Sequence, residues 1–172
     1  QFMPIGSRFQ YKTPEEIEII RKNCLLVSAT LAEVASHITP GITGLRLDEI
    51  AEAFIRDHGA EPAFKGYPGS LSDFPASLCI SFNEVIVHGI PDKTEVKEGD
   101  VVSVDCGVKM NGYFGDAAFT FAVGQISPEV LDLLVTTREC LDLAIQQSVA
   151  GNRIGDIGYA VQQHAEVNHH YG

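Results

Sequence analysis

The stretch Val101-Val102-Ser103-Val104-Asp105-Cys106-Gly107-Val108-Lys109-Met110-Asn111-Gly112-Tyr113-Phe114-Gly115-Asp116-Ala117-Ala118-Phe119-Thr120-Phe121 reads as one β-hairpin. Asn111-Gly112 is the turn signal, because a type I′ turn needs φ > 0 at both central positions. With those two residues as the loop, Asp105 pairs with Ala118 and Gly107 with Asp116. The two aspartates then lie diagonally on one face, roughly 7–8 Å apart at Cα. A one-residue slip in loop placement would put them directly opposite, at roughly 4.5–5.5 Å. In either register two like charges share one face of an apolar ribbon, an arrangement that is destabilising unless a cation neutralises it. A divalent metal pair bridged by carboxylates would do so; a solvated polar face is the competing reading.

Upstream, Thr13-Pro14-Glu15-Glu16 is a helix start, with Thr13 as cap, Pro14 at the first helical position and Glu16 completing a capping box. Ile17, Ile20, Cys24, Val27, Leu31 and Val34 recur at three- and four-residue steps, an apolar stripe on a long helix that ends near Pro40-Gly41. A second helix follows with Leu47, Ile50, Phe54 and Ile55 inward and Gly59 as its stop. Residues 60–75, rich in Gly, Pro and Ser, read as loop. Residues 77–82 and 85–87 read as strands joined at Asn83-Glu84, and 92–100 as a charged connector to the hairpin.

Beyond the hairpin the pattern starts again. Ser127-Pro128-Glu129 echoes Thr13-Pro14-Glu15, a long helix runs to about Val149, and Ile154, Ile157 and Val161 mirror Leu47, Ile50 and Phe54. The order of elements indicates one and a half copies of a duplicated unit.

Of the 172 residues, 45% are hydrophobic, enough to bury a core, and no apolar run is long enough to span a bilayer. The net charge of −11 comes with no Lys/Arg cluster, which argues against nucleic-acid partners. Cys24, Cys79, Cys106 and Cys140 are scattered without Cys-x-x-Cys spacing, so a reducing, cytoplasmic setting fits better than a disulfide framework or zinc ribbon. Residues 1–10 lack periodicity and read as a disordered or expression-derived start.

His88 closes the apolar segment Asn83-Glu84-Val85-Ile86-Val87-His88-Gly89-Ile90-Pro91, where Gly and Pro turn the chain. A lone histidine at a strand end is commonly structural; beside two same-face aspartates it becomes a candidate catalytic group. Gly107, Gly112 and Gly115 allow close approach of backbone or ligand there.

Together, Asn-Glu-x-x-x-His-Gly-Ile-Pro (83–91), Val-Asp-x-Gly (104–107) and Gly-Tyr-x-Gly-Asp-x-Ala-x-Thr-Phe (112–121) resemble methionine aminopeptidase, most closely the bacterial type I form of metallopeptidase family M24. The resemblance covers residues 11–172. The Asp…Gly-Asp hairpin alone is shared with prolidase-like and creatinase-like relatives, whereas the segment ending in His-Gly-Ile-Pro is similar to the methionine enzymes. What the resemblance implies is an α+β, pita-bread (creatinase/aminopeptidase-like) fold. A single partial catalytic domain over 11–172 is expected, with 11–126 the first pseudo-repeat and 127–172 the helical start of the second.

The implied activity is metal-dependent exopeptidase removal of N-terminal (initiator) methionine from nascent proteins when the next residue is small. By resemblance, Asp105 matches a bidentate ligand to one metal and Asp116 the carboxylate bridging both. His88 matches a histidine that hydrogen-bonds substrate near the scissile bond, and Cys79 a cysteine of the methionine pocket. Tyr67 and Phe74 match pocket aromatics, with residues 68–73 forming an insertion, and Asn83 and Val85 match a monovalent-cation (Na or K) site. Two divalent ions (Co, Mn, Fe or Zn) are implied as cofactors, and N-terminal methionyl peptides and nascent chains as partners.

In the family the remaining ligands, one His and two Glu, and a second active-site His come from the second half of the fold, the first of them from a Gly-His-Gly segment that does not occur in this sequence. The expectation is therefore of a C-terminally truncated form, inactive alone, with self-association through the uncovered half-fold surface. His164, His169 and His170 do not match the missing ligands and read as structural or solvent-exposed. A non-catalytic binding module on a half pita-bread fold and an X-Pro dipeptidase relative are the alternatives. Paired same-face carboxylates with His88 argue against the first, and the 83–91 segment against the second.

Overall fold

The computed structural model describes residues 11–69 and 72–171. The expected start segment 1–10 lies outside them, as do two positions of the 68–73 insertion. Two compact units divide the chain, one running to Gly124 and one from Gln125 to Gly172.

In the first unit, helices α1 (Pro14–His37) and α2 (Gly44–Asp57) cover one face of an antiparallel sheet built from β1 (Glu61–Pro62), β2 (Leu78–Phe82), β3 (Val101–Met110) and β4 (Tyr113–Ala122). The central strand is β3. It pairs with β4 along its whole length, and on its other edge with β2 from Val102 to Cys106 and with β1 at Val108 and Lys109. Alternation sorts its side chains: Val102, Val104, Cys106 and Val108 are fully buried against the helices, while Ser103, Asp105 and Gly107 point to the opposite face. Leu78 and Ile80 of β2, Val27, Leu31 and Val34 of α1, and Leu47, Ala51 and Ile55 of α2 complete the core. Each buried Val, Leu or Ile contributes roughly 1.5–3 kcal/mol.

The helix starts follow the sequence signals. Thr13 accepts the Glu16 amide while Glu16 accepts the Thr13 amide, and Ser127 accepts the Val130 amide at the start of α3 (Pro128–Gln147). The stripe on α1 is buried only in part. Ile17 and Cys24 are exposed, and Asn23 occupies the buried position instead. The reason is Gly115, whose missing side chain lets β4 lie directly on the α1 backbone; a Cβ there would stand 2.6–2.8 Å from Asn23 and Cys24 backbone atoms. Asn23 Nδ2 donates to the Met110 carbonyl at 3.2 Å, tying the helix to the hairpin end. Gly115 therefore serves packing rather than ligand approach.

Residues 85–87 are not a strand. After β2 the chain turns through Asn83 at φ 50°, with the Val85 amide donating to the Phe82 carbonyl, and only Gly89 returns to pair with Ile80. Val85, Ile86 and Val87 are exposed. Conversely, β1 forms within the Gly/Pro-rich segment read as loop; Pro62 is tolerated because it sits at a sheet edge.

In the second unit α3 packs with α4 (Ile154–Gln162) and a π-helical turn, Gln163–Asn168, that continues α4. Among the described residues no helix is long and apolar enough to cross a membrane.

Asp48 links α2 to β2. Its Oδ1 accepts the Ser77 and Leu78 amides, both at 2.8 Å and both buried. Each amide left without a partner costs about 1–3 kcal/mol. Asp48→Ala is expected to lower stability by roughly 2–4 kcal/mol in urea unfolding, and Asp48→Asn, which keeps the accepting oxygen, by less than half as much.

Candidate metal centre

The hairpin turn fixes the site. Asn111 and Gly112 adopt φ 54° and 79°, as a type I′ turn requires, and Met110 pairs with Tyr113 across it. The register is the diagonal one: Asp105 opposes Ala118 and Asp116 opposes Gly107. On the other edge Cys79 opposes Asp105, so Cys79 reaches the same face.

These residues form the floor of a cavity of about 460 Å³, lined by Phe64, Tyr67, Phe74, Cys79, His88, Ile90, Asp105 and Asp116. Six of these eight are residues that the sequence singled out for the site; Phe64 and Ile90 were not singled out. Phe64 arrives through β1, where the Ala63 amide donates to the Gly107 carbonyl at 2.9 Å, and its ring fills the space a side chain at Gly107 would take. Tyr67 and Phe74 are tied across the neck of their loop: the Phe74 amide donates to the Tyr67 carbonyl, and the Gly66 amide to the Phe74 carbonyl.

His88 sits at φ 60°, a backbone state uncommon outside glycine. Gly89 holds it there. The Gly89 amide donates to Ser81 Oγ at 3.1 Å, its carbonyl accepts from Ile80 at 2.8 Å, and a Cβ at Gly89 would collide with the Ile80 carbonyl. The left-handed turn and the docked glycine aim His88 into the pocket in place of the expected strand end.

Burial pushes the Asp105 carboxyl up to about 6, the adjacent Asp116 carboxylate and a hydrogen bond with it push the same way, and His88 pulls it back. Asp105 Oδ1 is buried without a hydrogen-bond partner. A carboxylate oxygen left bare at the floor of a pocket, beside a second carboxylate, is a donor set that suits a divalent ion. Asp105 and Asp116 are the residues that would hold it. Burial also raises the Cys79 thiol to about 11 and the Cys106 thiol to about 12, with both aspartates adding to the effect. Cys79 is thus a neutral, soft piece of pocket wall, and not a nucleophile.

Asn83 and Val85 lie outside this cavity, in a hollow shared with Ile80, Phe82, Gly89 and Thr94. Asn83 Oδ1 accepts the Val101 amide at 2.9 Å and its Nδ2 donates to Asp100 Oδ1 at 3.0 Å. Its side chain is committed to the start of β3, so a monovalent cation there would rely on backbone oxygens.

The chain and its fold are similar to known proteins. Metallopeptidase family M24 matches residues 18–172. Methionine aminopeptidase 1 of Bacillus subtilis is 45% identical over 155 residues, which are 90% of this chain and 61% of that protein; the methionine aminopeptidase of Clostridium perfringens is 46% identical over 157 residues, 91% and 61%. Among solved structures, methionine aminopeptidase from Rickettsia prowazekii superposes with a TM-score of 0.88 at 33% identity, covering 92% of this chain and 62% of that one. Prolidase from Pyrococcus furiosus, with a TM-score of 0.80 at 22% identity over 91% of this chain and 44% of that one, shares the fold alone. This confirms the α+β pita-bread class. The chain spans about 61% of the length of the curated relatives it matches. With its family match running over residues 18–172, the chain belongs to metallopeptidase family M24.

Proposed function

We propose that this chain carries the methionine pocket and one wall of the metal centre of an exopeptidase that removes N-terminal methionine when the next residue is small. The observation that carries the reading is the unpartnered Asp105 Oδ1, buried beside Asp116 at the floor of an apolar pocket with His88 on its wall. An unbranched thioether needs a soft apolar slot, which Phe64, Tyr67, Phe74, Ile90 and the protonated Cys79 provide. His88, turned inward by its left-handed backbone, donates a hydrogen bond to the substrate's peptide group. Asp105 and Asp116 hold divalent metal, with Co, Mn, Fe and Zn all suited to carboxylate and imidazole donors. Metal held by Asp105 and Asp116 would supply Lewis acidity toward the substrate's free amine and scissile carbonyl. With two carboxylates as its pocket ligands among the described residues, the chain holds the ion weakly and turns substrate over poorly by itself.

The X-Pro reading has less support, because the prolidase likeness lies at fold level, while the curated relatives above 40% identity carry the methionine name. Met-Ala and Ala-Pro separate the two. With Mn²⁺ present, Met-Ala should bind at least about tenfold more tightly by calorimetry, a difference of about 1.4 kcal/mol; equal binding would sink the methionine assignment. His88→Ala should weaken Met-Ala binding by about 1–2 kcal/mol while leaving Mn²⁺ affinity unchanged.

Mn²⁺ affinity should depend on Asp105. Titration of an Asp105→Asn, Asp116→Asn variant should show no heat above buffer in the pocket-binding range. In the unsubstituted chain the ion must displace the Asp105 proton, held up to about 6. Affinity should therefore fall by about fivefold from pH 6 to pH 5 and level off above pH 7. A flat profile would contradict the role given to Asp105.

The same shift fixes a stability sign. Asp105 is raised from its ordinary 3.8 to about 6 by folding. In the metal-free protein its favourable contribution is complete below the lower value and is lost as pH rises through the upper one. Metal-free Asp105→Asn should accordingly unfold at a higher urea concentration than the parent at pH 7, with the gap closing by pH 4.

A further inference from the structure

The second unit brings together three donors that the sequence left apart. On α3, Asp132, Thr136 and Glu139 stand at i, i+4 and i+7, which is one helical stripe. The π-helical turn presents His164 to that stripe, and the residues just after it present His169 and Tyr171. Tyr171 Oη donates to Asp132 Oδ2 at 2.7 Å, Thr136 Oγ1 lies 3.3 Å from His169 Nδ1, and His164 Nε2 lies 2.7 Å from Glu139 Oε2.

The turn type does the positioning. In an α-helix, residues five apart diverge around the axis; the wider π-turn restores their alignment. The His169 amide closes onto the His164 carbonyl at 3.2 Å, and the two imidazole centroids stand 4.6 Å apart. Donor atoms of Glu139, His164 and His169 all lie within 4.8 Å of one another. Both histidines are half-buried, with Glu139 exposed at the solvent side.

We propose that Glu139, His164 and His169 form a Zn²⁺ site that clasps the π-helical turn to α3. Two imidazoles and a carboxylate are a recognised zinc donor set, leaving one position for water. Ligands bonded at about 2.1 Å in a tetrahedron stand roughly 3.4 Å apart, between the 2.7 Å of the His164–Glu139 pair and the 4.8 Å that encloses all three donors. The ion takes the place of the proton between His164 Nε2 and Glu139 Oε2, and that proton is released to solvent. The Thr136 hydroxyl, against the His169 ring, orients it from behind. This site shares no residue with the Asp105/Asp116 pair.

The test is Zn²⁺ titration of the Asp105→Asn, Asp116→Asn variant against a chromophoric chelator. About one equivalent should remain bound, and adding His164→Gln and His169→Gln should remove it. No zinc retained in the first variant, or zinc undiminished in the second, overturns the proposal. Glu139→Gln keeps a partner for His164 and the helix intact; it should weaken Zn²⁺ binding by about tenfold or more with an unchanged far-ultraviolet spectrum. In the unsubstituted chain, Zn²⁺ should shift the ring resonances of His164 and His169; a response confined to His88 would refute the assignment even if every variant misfolded.

Discussion

A two-residue turn governs the first unit. Asn111 and Gly112 can both hold positive φ, so β3 and β4 meet with no residue to spare and Asp116 falls opposite Gly107. Because side chains alternate, a loop longer or shorter by one residue would turn the β4 residues over relative to β3. Asp116 would then face α1, and Gly115, whose lack of a Cβ allows the helix to sit against the strand, would face the pocket. Helix packing and carboxylate placement thus rest on the same register.

β3 divides the work residue by residue. Val102, Val104, Cys106 and Val108 supply the core; Asp105, one step from Cys106, supplies the pocket floor. Placing two carboxylates on a strongly paired central strand and its neighbour makes them rigid, and it also holds them close enough to repel. The raised Asp105 carboxyl and its bare oxygen record that conflict. The surrounding structure outweighs it through the apolar burial on the other face and through Asp48, which fixes the start of β2 and so the position of Cys79.

Much of this was legible because local signals agreed with the fold. Thr13 and Ser127 cap where expected, the turn is of the type its residues demand, and the register placed Asp105 and Asp116 diagonally. The failures occurred where a tertiary contact overruled a local pattern. Val85, Ile86 and Val87 have strand propensity, yet positive φ at Asn83 and His88 curls the chain away from the sheet. Cys24 fits the α1 stripe, but the contact at Gly115 turns that part of the helix so that Asn23 is buried. Phe64 was missed because two residues of edge strand in a Gly/Pro-rich segment leave no periodicity to detect.

The pairing of His164 with His169 was not legible for a different reason. Sequence periodicity assumes 3.6 residues per turn, and at that pitch His164 and His169 point apart. A π-turn changes the pitch locally, so residues five apart become neighbours, and His164 meets Glu139, 25 positions earlier in the chain. The same property that hides such a cluster makes it informative. π-turns give up regular helical hydrogen bonding and are kept where they aim side chains. Here the aimed side chains are two imidazoles, facing a carboxylate on the stripe of α3 that also receives Tyr171. Packing alone would be served by any apolar pair at those positions; three titratable donors converging on one point are better accounted for by a cation.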